Sequence, residues 1–329
     1  MISDRGSERE IMLCLAGDTM LGRGVAEAIS QSRRPQLFED EIVEFAKSAD
    51  LFVLNLECCI SARGERWPSP GKPFFFRAPP AGVAVLVELG VDCVTLANNH
   101  ALDYGYDALT DTISLLDDAG IAHVGAGRNV MEAREGCVLE RGGMRFAVFA
   151  FTDHPREYAA TPDTPGVAFI DLRQGIPAWV GDRLRTTDAD YQLVSPHWGP
   201  NMAPSPQPYV RAAAGELLEA GADLVAGHSA HVFQGVEERV IFDLGDFIDD
   251  YAIDPAVRND LGLLWLVTLR DGALASIQTI PLKLGYCFTR RASGDDLCWI
   301  RERFTRACAA MGTEVEVRDD RLTISTAVS

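Results

Sequence analysis

IMLCLAGD at 11–18 reads as an unbroken apolar run that closes on Gly17 and Asp18. A run this short, apolar at successive positions and stopped by a glycine, is what a strand buried on both faces looks like. The same pattern returns in LFVLNLE (51–57), CVTLANN (93–99), YQLVSPHWG (191–199) and DLVAGHSA (223–230), each ending in polar or glycine residues. Between several of them lie stretches with helical spacing, at 37–49, 80–89, 105–119 and 208–220, the last followed by Gly221, where a helix can stop. Such alternation predicts an α/β sheet with crossover helices.

From about 136 the style changes. GCVLERGGMRFAVFAF reads as a hairpin turning at Gly142-Gly143, and LGLLWLVTLRDGALASIQTIPL as another turning at Asp271-Gly272. A last amphipathic helix at about 295–311 and a hairpin around Arg318-Asp319-Asp320 close the chain, so the architecture is mixed α/β with antiparallel sections. Three segments lack periodicity: 61–80, rich in Pro and Gly, 153–168, and 199–208. Unstructured stretches of that length in a compact domain are often functional loops. No linker, repeat or low-complexity tract divides the chain, which predicts a flexible tail at 1–10 and a single domain over 11–329.

The 329 residues are 47% hydrophobic and 24% charged, the balance of an ordinary globular protein. No segment approaches the roughly 18 to 20 consecutive apolar residues of a membrane span, and MISDRGSERE is polar where a signal peptide needs an apolar stretch. The expectation is a cytoplasmic protein. With 30 basic against 48 acidic residues the net charge is −18, which argues against a nucleic-acid or anionic-membrane partner. An anionic substrate must then be held by metal ions or by a few local Arg and Lys groups. The eight cysteines contain no CxxC pair, which excludes a thiolate zinc site of that type, and Cys14 and Cys93, inside apolar runs, read as small buried hydrophobes.

In open α/β sheets the ligand site lies beyond the carboxyl ends of the strands. Those ends carry Asp18, Asn55 with Glu57, Asn98-Asn99-His100, His197, and His228 with His231. Singly, each has an ordinary reading: Gly17-Asp18 as a turn capping a helix, Asn98-Asn99 as a left-handed turn, His228 and His231 as loop hydrogen bonders. His123 and His154 keep the ordinary reading. Four of the six histidines gathered with Asp, Glu and Asn at one sheet edge point instead to ligands for one or two divalent metals, since imidazole with carboxylate suits Mn, Fe, Zn or Ni.

GDTMLGR (17–23), NLE (55–57), GKPFFFRAPP (71–80), VTLANNHALDYG (94–105), GIAHVGAG (120–127), HWG (197–199), GADLVAGHSAHVFQGVE (221–237) and IFDLGDF (241–247) together resemble the CapA family. That family is named for a poly-γ-glutamate capsule biosynthesis protein and belongs to the calcineurin-like metallophosphoesterase superfamily. The resemblance runs in order from about residue 11 to 250. It implies a sandwich of two mixed β-sheets flanked by helices, with a dimetal site (Mn, Fe or Zn) between loops at one end. It further implies that Asp18, Glu57 near the bridging carboxylate's place, Asn99, His197, His228 and His231 hold metal and that His100 protonates the leaving group.

Departures from the pattern are also plain. Met20 stands where the superfamily has a histidine, and a thioether is a poor ligand for hard ions. The terminal histidines are separated by two residues where phosphoesterases usually have one, and Pro200-Asn201 and Asp246 replace an expected Glu and Asn. Asp103, three residues after His100, is placed to orient it, and Lys72 and Arg77 on the Pro/Gly-rich loop are candidates to hold an anionic substrate group. The reading is a CapA-like metal-dependent hydrolase of a phosphoester or a glutamate-type amide, its partner a small anionic substrate or a polyglutamate-like chain. The alternative is a non-catalytic assembly or ligand-binding protein of poly-γ-glutamate capsule biosynthesis.

Overall fold

The computed structural model describes residues 10–325 apart from 33 and 319. Most of the expected tail at 1–10 therefore lies outside the described residues, and Glu10 already opens the first strand. In chain order the main elements are β1 (Glu10–Thr19), α1 (Arg23–Gln31), α2 (Asp40–Lys47), β2 (Leu51–Leu56), α3 (Gly82–Leu89), β3 (Cys93–Thr95), α4 (Gly105–Ala119) and β4 (Ala122–Val124). There follow β5 (Cys137–Arg141), β6 (Met144–Thr152), α5 (Ala178–Thr186), β7 (Tyr191–His197), α6 (Pro208–Ala220), β8 (Leu224–Ala226) and β9 (Val240–Ile241). The chain ends with β10 (Asp246–Ile248), β11 (Leu261–Arg270), β12 (Ala273–Gly285), β13 (Phe288–Arg291), α7 (Gly294–Ala309), β14 (Glu316–Arg318) and β15 (Arg321–Ser325).

Two mixed sheets result. The larger runs β14-β15-β12-β11-β1-β2-β3-β4, with β10 added to β1 and β13 to β12. Its β1 to β4 half is parallel, as crossover helices require, whereas β11 and β12 form the antiparallel hairpin read at Asp271-Gly272. The smaller runs from Val236–Glu237 through β9, β8, β7 and β6 to β5, parallel from β9 to β6 and closed by the hairpin at Gly142-Gly143.

Alternation along the strands sends side chains to two different cores. In β1 and β2, Leu13, Leu15, Leu51 and Val53 pack against Phe146, Val148 and Leu193 of the facing sheet. Their neighbours Cys14, Ala16, Phe52 and Leu54 pack against Ile42, Leu86, Leu109 and Ile113 of the helices outside. The second sheet likewise turns Phe149, Phe151 and Val194 toward Val180, Leu184, Val210 and Leu217 of α5 and α6. The chain is thus an α/β sandwich of helices, sheet, sheet, helices. Burial on both faces is why these strands read as continuous apolar runs. Truncating a residue such as Leu15 to Ala removes contacts on a dry inter-sheet face and costs about 2–5 kcal/mol.

Helices α4 and α6 match their predicted spans, and each ends on a glycine with positive φ, Gly120 at 71° and Gly221 at 117°. Two of the apolar runs pair less than expected. The run at 93–99 stops pairing after Thr95 because Asn98 N–H turns back to Leu96 O and the Asn98 side chain accepts from His100 N–H, closing a turn. The run at 223–230 pairs only to Ala226, since Gly227 N–H goes to Ile241 O and Ser229 turns with φ 116°. Conversely, 61–80 contains Arg77–Ala78, paired with Cys59–Ile60, and 153–168 contains a 3-10 turn at Arg156–Tyr158 and a short strand at Gly166–Val167. Residue 319 of the last hairpin lies outside the described residues, but the flanking strands pair Arg318 with Arg321.

Candidate metal centre

The carboxyl ends of the parallel strands from both sheets open on one place. Asp18 ends β1, Glu57 follows β2, Asn99 and His100 follow β3, His197 ends β7, and His228 and His231 follow β8. A further carboxylate, Asp246, arrives because β10 adds to β1 in parallel and puts Asp246 opposite Asp18. The approach is close: a Cβ at Gly17 would stand 1.9 Å from the Gly245 carbonyl oxygen, so only glycine lets Asp18 N–H reach that oxygen at 3.0 Å.

Two ligand groups form there. Asp18, His197 and His228 offer atoms within 4.8 Å of one another, as do Asp18, Glu57, His231 and Asp246, and Asp18 belongs to both. His197 Nδ1 lies 2.8 Å from His228 Nδ1, and the two stand 3.9 and 3.7 Å from Asp18 Oδ1. His231 Nδ1 hydrogen-bonds Asp246 Oδ1 at 2.9 Å and lies 3.2 Å from Asp18 Oδ2, with Glu57 Oε1 3.9 Å from its Nε2. His231 adopts φ 59°, a left-handed conformation costly for a side chain of this size and tolerated where a site demands it.

A buried polar oxygen without a partner costs about 1–3 kcal/mol, more when charged. Here Asp18 Oδ2, both oxygens of Glu57, Asp246 Oδ2 and Asn99 Oδ1 are all buried without a hydrogen bond. Burial raises Glu57 and Asp246 well above the usual carboxylate range, and in Glu57 the Asp18 charge adds to it. Burial would raise Asp18 too, but the surrounding histidines outweigh it and hold Asp18 far below. Burial pushes His197 well down and His228 down to about 4, so both rings stay neutral and can ligate. On His231 burial is outweighed by the charges of Asp246 and Glu57, which raise it. The donor set, neutral imidazoles with clustered orphan oxygens, fits divalent cations.

His100 is built differently. Its Nδ1 lies 2.6 Å from Asp103 Oδ2, and that carboxylate also accepts from Phe76 N–H at 2.6 Å and Tyr158 OH at 3.1 Å and pairs with Lys72 Nζ at 2.8 Å. With Asp103 as acceptor the hydrogen sits on Nδ1, leaving Nε2 toward the acids, 3.9 Å from Glu57 Oε1. Burial lowers the His100 pKa, and the adjacent Asp103 opposes that.

Other polar strand ends support rather than face the centre. Asn55 donates to Asp18 Oδ1 at 2.7 Å and accepts from Thr95 Oγ1 and from Asn98, which also donates to Leu56 O. Met20 is buried in the helix-side core, with its sulfur accepting from Gly22 N–H. His123 faces Asp117 away from the centre, whereas the His154 ring lies 5.3 Å from that of His197.

The two cations expected to hold substrate are both engaged by groups of the protein. Lys72 is committed to Asp103 and to Asn99 O at 2.5 Å. Arg77 stacks over Tyr104 at 4.0 Å and donates to Arg63 O and Gly64 O, so its charge braces the loop. The cleft that opens on the centre, about 290 Å³, is lined instead by His100 and His231 together with Arg23, Phe74, Phe76 and Tyr251. Sequence reading singled out neither Asp246 as a ligand candidate nor Arg23 as a cleft residue. The only signal for Asp246 was its place in IFDLGDF, where it reads as a departure.

The description "Bacterial capsule synthesis protein PGA_cap" belongs to a family whose model matches residues 12–251. A probable polyglutamine synthesis accessory protein of Mycobacterium tuberculosis is 32% identical, with 96% of each chain aligned. The capsule biosynthesis protein CapA of Bacillus anthracis is 28% identical over 86% of this chain and 69% of its own. The PGA biosynthesis protein CapA of Bacillus subtilis is 27% identical over 74% and 64%.

Proposed function

This chain belongs to the bacterial capsule synthesis protein family PGA_cap, and from that premise we propose that it is a metal-dependent hydrolase of the calcineurin-like metallophosphoesterase superfamily. Its substrate in this reading is a phosphoester or a glutamate-type amide. The observation that carries the proposal is the pair of buried ligand groups sharing Asp18, with five oxygens that no protein donor satisfies. Asp18, His197 and His228 hold one divalent ion, and Asp18, Glu57, His231 and Asp246 the other, with the orphan oxygen of Asn99 a further ligand. Such ions supply Lewis acidity and a water activated at neutral pH.

The chain's own residues do the rest. Asp103 orients His100 so that Nε2 faces the acids, and the ring, once it has taken a second proton at Nε2, can give that proton to the leaving group and return to the Nδ1–H form that Asp103 holds. Lys72, by pairing with Asp103, holds that carboxylate against the ring and so helps to keep the ring in one tautomer.

A non-catalytic accessory role is the second reading, favoured by the mycobacterial relative's name as an accessory protein. One experiment separates the two: elemental analysis of the purified full chain, joined to an assay of p-nitrophenyl phosphate hydrolysis with and without added Mn²⁺. The hydrolase reading expects bound metal and Mn²⁺-dependent turnover. Metal without turnover on any phosphoester or glutamyl amide leaves the accessory role, and no metal at all removes the proposal.

A further inference from the structure

The cleft beside the centre contains a cation and an aromatic wall that the ligand groups do not use. Arg23 adopts φ 51° at the start of α1, and Met202 (57°) and His231 (59°), which line the same cleft, share that left-handed region. Each such non-glycine residue costs about 1–3 kcal/mol and persists where the surroundings impose it. The imposing group at Arg23 is Asp250, a buried carboxylate whose Oδ2 takes the Gly24 N–H at 2.9 Å and pairs with Arg23 Nε at 3.3 Å. The guanidinium is thereby fixed over the rings of Phe74 and Phe76, 5.4 and 5.9 Å from their centroids.

Those rings form a platform that leads inward. Phe74 and Phe76 are nearly parallel at 16°, and Phe76 stacks on His100 at 4.0 Å and on Tyr251 at 5.7 Å. Phe74 keeps 54% of its surface exposed, a large apolar ring held open beside the cleft. The Tyr251 hydroxyl is buried without a partner in the same wall. At about 290 Å³ the cleft lies at the small end of ligand cavities, with room for one ring and its substituents.

We propose that this cleft is the leaving-group subsite: it takes a flat aromatic or heteroaromatic body against the exposed ring of Phe74, with Phe76 buried behind as its backing, and a second anionic group on that body at Arg23. The inference rests on the metal-hydrolase reading, because the reacting end of the substrate must lie at His100 and His231. Arg23 takes the role that the loop sequence appeared to give Lys72 and Arg77: its Nε pairs with Asp250, but unlike those two it lines the cleft.

Three phosphonates that the protein cannot hydrolyse test it by calorimetry on the full Mn²⁺-loaded chain: methylphosphonate, phenylphosphonate and 4-carboxyphenylphosphonate. Phenylphosphonate is expected to bind about tenfold tighter than methylphosphonate, as aromatic contacts of about 1.5 kcal/mol give. The carboxylate adds roughly three- to tenfold, as a charge-assisted contact would. Phe74→Ala, at an exposed ring whose loss leaves the core intact, reduces the first step, and Arg23→Gln removes the second while leaving the phenyl to methyl ratio unchanged. Mn²⁺ binding with equal affinity for methyl- and phenylphosphonate overturns the subsite alone, as does a carboxylate increment that survives Arg23→Gln. Failure to bind Mn²⁺ overturns the metal reading and this inference with it.

Discussion

Just before β11, Asp260 is buried in a knot of opposite charge. It accepts from Arg258 Nε at 2.8 Å and Nη2 at 3.0 Å and pairs with Lys283, while Arg258 also reaches Asp296 at 2.6 Å. At the sheet ends Glu57 and Asp246 are equally buried, yet three of their four oxygens meet no donor. Burial pushes both regions' carboxyl groups upward. Around Asp260 the two cations outweigh it and hold that carboxyl below its ordinary value, whereas Glu57, with Asp18 beside it, goes well above. A chain of net charge −18 with three lysines places Lys283 and Lys72 on Asp260 and Asp103, and puts no lysine or arginine against the orphan oxygens of Glu57 and Asp246 among the described residues.

The widest expected break lies between satisfied and orphan groups within the centre itself. His100, tied to the fully satisfied Asp103, is a proton carrier in this account, and His228 is a ligand. His100→Ala should lower turnover about 10²–10⁴-fold with metal content unchanged, whereas His228→Ala should lose metal. Elemental analysis and steady-state kinetics on the two variants decide it. An empty site in His100→Ala would make that ring a ligand and reverse the roles.

Asn55 sharpens the same contrast from one step further out, because it fixes Asp18 Oδ1 without facing the cations. Removing such a support typically weakens metal affinity about 10–100-fold. Asn55→Ala should show that loss in a Mn²⁺ titration while the far-UV spectrum is unchanged. Wild-type affinity would mean that Asp18 is held by the backbone alone.

Much of this was legible because the relevant signals are local. The apolar runs of β1, β2 and β7 end in Asp18, Glu57 and His197 whatever the rest of the chain does, and α4 and α6 carry their stop signals, Gly120 and Gly221, in the next residue. What was not legible depends on partners distant in sequence. Asp246 becomes a ligand candidate only because the three-residue β10 adds to β1, 228 positions away in number at the pair Asp18 and Asp246. Lys72, Arg77 and Arg23 are equivalent cations in a string of letters, and Asp103, Tyr104 and Asp250 decide which of them faces the cleft.

The opposite electrostatic states of the two acidic regions predict opposite responses to the same chemical change. Asp260→Asn deprives Arg258 and Lys283 of a buried partner and should destabilise by about 1–3 kcal/mol, less than the roughly 3–5 kcal/mol of a fully buried broken pair because both cations reach solvent. Glu57→Gln removes a carboxylate that nothing satisfies, so metal-free stability should hold or rise by about 1 kcal/mol. In return the stabilisation by added Mn²⁺, about 2.7 kcal/mol at a hundredfold excess over Kd, should shrink in Glu57→Gln and persist in Asp260→Asn. Denaturant midpoints for the three proteins, each with EDTA and with Mn²⁺, give all six values. Loss of metal-free stability in Glu57→Gln comparable to that of Asp260→Asn would erase the distinction between the regions.

The finest test is the pH dependence of metal affinity, whose sign follows from which groups hold protons. Burial raises Glu57 and Asp246, while Asp246 and Glu57 together raise His231. Each must shed its proton before its lone pair can face a cation, so binding releases protons and affinity climbs with pH. His228, at about 4, and His197, also lowered, are already neutral near pH 6 and add no slope there. The expected outcome is a Mn²⁺ affinity that rises with pH from about 6 upward, about tenfold per pH unit for each proton displaced, and flattens once the raised groups are ionised. Calorimetry in buffers of different ionisation enthalpy counts those protons directly. An affinity flat over that range would mean that the acids are ionised beforehand, compensated by a cation of the protein's own as Asp260 is, and the contrast between the two regions would fail.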